Sequence, residues 1–257
     1  MRVEPHAVDS YVHAMKRGAR GLPLTKNISE QRRFMRLLFF MNDHYSNDAW
    51  ERETRLLGTF ERPQDWPEQR PLVKVLAWTL MPNHFHLLLK ETEDGGISKF
   101  MQKLGNSMST YANLKHKEKG SLFQGAYKGR TVRNDTYLRH LASYIMVKNV
   151  FELYPGGFLK AAGDFDRAWQ WGIEAYPFSS LADYALDRKS PIIEKDILGE
   201  IFDSCADFRT CSREMILSKT AADDEMLQAM LIDDEPIKLR ASDSRNENQI
   251  LVNLTAR

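Results

Sequence analysis

The chain has 257 residues, 42% of them hydrophobic, enough to bury one large core or a core with an appended subdomain. No run reaches the roughly 18 consecutive apolar residues of a membrane-spanning helix, and the opening MRVEPHAVDS lacks the apolar stretch of a signal peptide, so a soluble, cytoplasmic protein with no membrane partner is expected. The net charge of +1 conceals a division: residues 1–150 carry 24 Lys and Arg against 15 Asp and Glu, residues 151–257 carry 12 against 20, as in a polyanion-binding module followed by an acidic part.

YVHAMKRG, Tyr11 to Gly18, reads as a strand ending at its glycine. ISEQRRFMRLLFFMNDHY places Phe34, Leu37, Leu38 and Met41 at helical spacing, with Arg32, Arg33 and Arg36 on other faces. After a Pro- and charge-rich connection, LVKVLAWTL suits a buried strand. Pro82-Asn83 supplies turn chemistry, and HFHLLLK resumes an apolar strand, giving a β-hairpin with His84 and His86 at the start of its second arm.

Gly95-Gly96 breaks the chain before a helix of about five turns with Ile97, Phe100, Met101, Leu104, Met108 and Tyr111 on its apolar side. SLFQGAYKGRTV reads as a glycine-interrupted strand, and Asn134-Asp135 caps a helix over TYLRHLASYIMVKN. The order β-α-β-β-α-β-α predicts an α+β, ferredoxin-like antiparallel sheet with helices packed on it. The domain is expected over residues 1–150. Residues 151–232 should form an aromatic-rich, mainly helical C-terminal extension packed on it, with one or two helices over PIIEKDILGEIFDSCADFRTCSREMIL, and residues 233–257 a disordered tail. Cys205 and Cys211, in CADFRTC, fit neither a zinc knuckle nor a redox pair and read as reduced structural thiols.

Strand residues i and i+2 point the same way, so His84 and His86 present two imidazoles on one side while Phe85 faces the core. That is a two-point metal clamp beside a turn, where a site can be open to substrate; a pair of purely structural histidines is the plainer alternative. The helix after Asn134 sets Tyr137, Leu141, Tyr144 and Lys148 on one face. Tyr144 can serve as an oxygen nucleophile toward a phosphodiester or as a packed core tyrosine. Tyr111, Tyr127 and Tyr137 compete for the same role.

AWTLMPNHFHLLL, GSLFQGAYKGRTV and YLRHLASYIMVKN, in this order and spacing, resemble the REP-associated tyrosine transposases, insertion-sequence single-tyrosine transposases of the HUH endonuclease superfamily. YVHAMKRG and YPFSSLADY resemble that family's opening strand and post-catalytic segment, so the resemblance spans roughly residues 11 to 185. It implies that His84 and His86 bind a divalent ion, Mg²⁺ or Mn²⁺, and that Tyr144 is the catalytic nucleophile. The reaction implied is nicking and rejoining of single-stranded DNA near palindromic hairpins through a 5′-phosphotyrosine. The family's amide ligand four residues after the tyrosine is replaced here by Lys148, a cation that cannot ligate a metal. Asn149 lies one position late as the remaining amide, and Lys148 becomes a candidate phosphate contact. Ala126 also stands where the family tends to place an arginine.

Lys115, Lys117, Lys119, Lys128, Arg130 and Arg133, interleaved with Phe123 and Tyr127, form a candidate DNA surface of phosphate contacts and base-stacking rings. Lys16, Arg17 and Arg20 are expected to extend it. Two other outcomes stay open: a catalytically inactive, domesticated DNA- or RNA-hairpin-binding protein, and a hydrolase using metal-activated water. Either a monomer or a homodimer is compatible with the motifs.

Overall fold

The computed structural model describes residues 6–218. The first half runs β1 (Tyr11–Arg17), α1 (Ile28–Phe40), α2 (Trp50–Glu53), β2 (Val73–Leu80), β3 (His84–Glu91), α3 (Gly96–His116), β4 (Lys128–Val132) and α4 (Asp135–Ser143). A single π turn, Tyr144–Lys148, leads into α5 (Asn149–Glu152). The rest is helical: α6 (Gly157–Gly163), α7 (Phe165–Glu174), α8 (Leu181–Ala185), α9 (Ile197–Ile201) and α10 (Cys205–Leu217).

The four strands form one sheet in the order β2-β3-β1-β4, antiparallel throughout. The ferredoxin-like arrangement expected from the sequence is therefore present. Local chemistry sets the boundaries. The Asn27 side chain caps α1 by accepting from the Glu30 amide, and Asn134 caps α4 by accepting from Tyr137. Gly95, at φ 75°, turns the chain into α3, whose first turn gives the Ile97 amide to the buried Glu91 carboxylate at 3.0 Å.

Register divides the sheet into two faces. Ala14 lies opposite Leu87 and Lys16 opposite Phe85, whereas Met15 lies opposite His86 and Arg17 opposite His84. On the first face Phe85 packs 5.1 Å from Phe34 of α1, and Phe34 lies 6.0 Å from Trp78; α3 completes this layer. The second face, which carries the histidines, lies under α4, the π turn and α5. Thr79 anchors that cover by donating to the Ile145 carbonyl at 2.5 Å.

One expectation needs correction. SLFQGAYKGRTV pairs as a strand only over residues 128–132. Earlier it makes an isolated bridge, Phe123 to Gly18, and residues 124–127 leave the ladder as a loop through Gly125. Residues 191–217, expected to hold one or two helices, hold two, α9 and α10.

The extension shares one continuous core with the sheet. Residues 178–194 cover the outer edge of β2 through Leu80 N–H to Phe178 O, Ser180 N–H to Trp78 O and Glu194 N–H to Val75 O, at 2.9–3.0 Å. Asp196 is tied to three strands, accepting from Tyr11 at 2.6 Å, Lys74 at 2.7 Å and Lys90 at 3.3 Å. α10 packs on α4, where Arg139 pairs with Asp207 and Ser212 donates to Ser143. Cys205 and Cys211 are free thiols on this one helix. The tail expected from residue 233 lies outside the described residues.

Candidate active site

His84 opens β3 and His86 follows on the same face, their ring centroids 4.8 Å apart. Tyr144 stands over them: its ring lies 5.7 Å from His86, edge-on. One chain thus brings the histidine pair and the tyrosine together. The pair is not open to solvent as its place beside a turn suggested. His84 is 3% exposed, His86 1% and Tyr144 2%, because α4 and the π turn close over this face.

His84 Nδ1 sits 2.6 Å from Asn83 Oδ1. That amide is oriented by its own Nδ2 donating to Gly21 O, so the histidine is the donor and its Nε2 carries the lone pair when the ring is neutral. His86 Nδ1 lies 2.9 Å from Nε2 of His13, a β1 residue the sequence reading did not single out. His13 is fully buried, 5.1 Å from the His86 ring and 6.2 Å from Tyr144. The only sequence signal was its place in an apolar strand, and the strand pairing that brings it to His86 is not written there.

Burial is the main influence on both rings. It holds His13 down to about 3, helped by Arg130 and His84, and holds His86 well below 6.5, helped by His84, His13, Lys148 and Arg17. Both are neutral at physiological pH. Their cationic neighbours make the surroundings attractive to an anion.

The helix carrying Tyr144 has an irregularity that bears on the displaced amide. From Tyr144 to Lys148 it is a π turn, closed by the Asn149 N–H donating to Tyr144 O. An i→i+5 turn holds one residue more than an α turn. Asn149 therefore closes the turn above Tyr144, the place residue 148 would take in an α-helix. Asn149 is 1% exposed, and its Nδ2 has no hydrogen-bond partner among the described residues; neither has His86 Nε2. Lys148 is left beside the tyrosine, its ammonium 5.0 Å from the ring centroid and paired with Glu152. Among the described residues no three His, Cys, Asp or Glu side chains converge as a metal-binding set.

Residues 68–148 match the family model of IS200-like transposases. The matched segment includes His84, His86, Tyr144 and Lys148 and stops before Asn149. No curated protein matches the chain. A solved structure of a REP-associated tyrosine transposase bound to a REP hairpin is similar at 15% identity and a TM-score of 0.42, over 77% of this chain and 92% of that one.

The other residues singled out by sequence are spread over the fold. Lys128, Arg130 and Arg133 are exposed on and just after β4. Arg17 and Arg130 border the histidines, and Arg20 is exposed beyond β1. Lys117 and Lys119 are exposed after α3, whereas Lys115 is engaged by Glu30 and Tyr111. Phe123 is 4% exposed in the core and cannot stack on a base as placed. Lys16 does not extend the Arg17 surface: strand alternation puts it on the opposite face, its ammonium 4.6 Å above Phe123. Among the competing tyrosines, Tyr111 lies under Arg33, Tyr127 bonds Ser98, and Tyr137 is half-buried near Arg130.

Proposed function

We propose that the protein nicks and rejoins single-stranded DNA beside hairpins, with Tyr144 as the nucleophile and a divalent ion, Mg²⁺ or Mn²⁺, held by His84, His86 and Asn149. The observation that carries this reading is the placement of the Tyr144 ring 5.7 Å from His86, over the histidine pair and within one chain. The residues fit such an ion. His84 bonds a carbonyl oxygen through Nδ1, leaving the lone pair on Nε2, and His86 and Asn149 each keep a buried polar atom without a hydrogen-bond partner among the described residues. Asn149 needs only the amide orientation that turns its oxygen inward.

The ion, when bound, would polarise the scissile phosphate. Tyr144 oxygen attacks phosphorus, the bond from phosphorus to the 3′-oxygen breaks, and that oxygen leaves as a 3′-hydroxyl after taking a proton. The phenolic proton passes to solvent, and the 5′-phosphate stays on Tyr144 for rejoining. Arg17, Arg130 and Lys148 supply positive charge around the phosphate. The exposed Lys128, Arg133, Lys117 and Lys119 hold the flanking backbone.

A second reading rests on the burial of Tyr144, which is 2% exposed beneath its own helix: a hairpin-binding protein of this fold that no longer cuts. The two part in one experiment. Incubation with hairpin-bearing single-stranded oligonucleotides and Mn²⁺ yields, on the first reading, a covalent protein–DNA adduct that Tyr144→Phe abolishes. Binding that survives Tyr144→Phe, with no adduct from the parent protein, supports the second.

A further inference from the structure

We infer that His13 is a positioning residue that fixes the tautomer of His86, leaving its Nε2 as a lone-pair donor beneath Tyr144. The inference builds on the metal reading of the histidine pair, but its first test does not require the ion. His13 and His86 are on adjacent strands, on the same face, and their Nε2 and Nδ1 atoms are 2.9 Å apart. Both rings are buried, so each carries one proton, and the contact admits only two arrangements. Either His86 Nδ1–H donates to His13, or His13 Nε2–H donates to His86.

The first arrangement leaves the lone pair of His86 on Nε2; the second places a hydrogen there. The surroundings favour the first. His84 acts on both rings, but two permanent cations, Arg17 and Lys148, lie beside His86 against one, Arg130, beside His13, so the imidazole lone pair is better placed at the His86 end. Neither His86 Nε2 nor His13 Nδ1 has a hydrogen-bond partner among the described residues, so each arrangement leaves one unpaired N–H and the neighbouring cations decide between them. A histidine ligand whose other nitrogen donates to a fixed acceptor keeps its ring oriented and its basicity raised. Here the acceptor is a second imidazole on the neighbouring strand. His84 reaches the same state through Asn83, so the two candidate ligands have separate supports.

The test is long-range ¹H–¹⁵N correlation spectroscopy of the imidazoles in the metal-free full-length protein near pH 7.5, followed by Mn²⁺ titration. Wild type should show His86 as the Nδ1–H tautomer. His13→Gln, whose amide oxygen can accept the same proton, should keep that tautomer and bind Mn²⁺ within about threefold of wild type. His13→Leu should lose the defined tautomer and about 10- to 100-fold in Mn²⁺ affinity. A wild-type His86 protonated on Nε2 overturns the inference even if His13→Leu does not fold. So does a folded His13→Leu with an unchanged tautomer and unchanged affinity. If wild type shows the expected tautomer but binds no Mn²⁺, the metal reading fails while the positioning role stands.

Discussion

Lowering the pH should destabilise the fold through the buried histidine pair. His13 is held down to about 3 and His86 well below 6.5, both by burial. A group whose folded pKa is depressed binds fewer protons in the native state than when unfolded. Its contribution to stability is full above about pH 6.5 and is lost as pH falls toward the folded value. Between pH 7.5 and 5.5 the unfolded-state titration near 6.5 caps the cost at about 1.4 kcal/mol per ring, or about 3 kcal/mol for the pair. Asp183 acts in the opposite sense: burial raises it to about 6, so protonation near pH 5.5 returns about 0.8 kcal/mol. The net loss is therefore at most about 2 kcal/mol, a sizeable fraction of the 5–15 kcal/mol typical of a domain. Urea unfolding at the two pH values measures it, with Asp183→Asn expected to enlarge the loss to about 3 kcal/mol. His13→Leu/His86→Leu, if folded, should lose up to about 3 kcal/mol less than wild type over the same interval, since the other titrations cancel in the comparison. An equal loss in that double variant would refute the reasoning.

Asn149→Leu should lower Mn²⁺ affinity at least about tenfold, while Lys148→Ala should leave it nearly unchanged and weaken substrate binding; isothermal titration separates the two. Alanine at Arg130 or Lys128 should each reduce the salt slope of hairpin binding by about one and weaken binding to all sequences alike. Asp196→Asn removes the carboxylate shared by Tyr11, Lys74 and Lys90 and should cost about 1–3 kcal/mol in urea unfolding.

Most of the fold was legible because its signals are local. Alternation, capping by Asn27 and Asn134, and the Pro82-Asn83 turn mark the elements in the order found, and the hairpin places His84 at the start of β3 as expected. What the sequence did not carry are relations across the sheet. His13 faces His86 only because β1 inserts between β3 and β4. Phe123 enters the core because its segment bridges Gly18 before leaving the ladder, which a count of basic and aromatic residues cannot reveal. The π turn was equally hidden, since no residue in YIMVK announces an i→i+5 bond. It changes the meaning of the displaced amide: Asn149 follows Lys148 in sequence, yet closes the turn above Tyr144.

The central claim is that Tyr144, over the His84–His86 pair of its own chain, becomes covalently joined to cleaved DNA. Mass spectrometry of the protein after reaction with a hairpin oligonucleotide and Mn²⁺ tests it most directly. The account predicts a nucleotide adduct on the Tyr144 peptide, a free 3′-hydroxyl on the released strand, and loss of both in His86→Ala. Cleavage without an adduct, or an adduct on Tyr111, Tyr127 or Tyr137 instead, would contradict it.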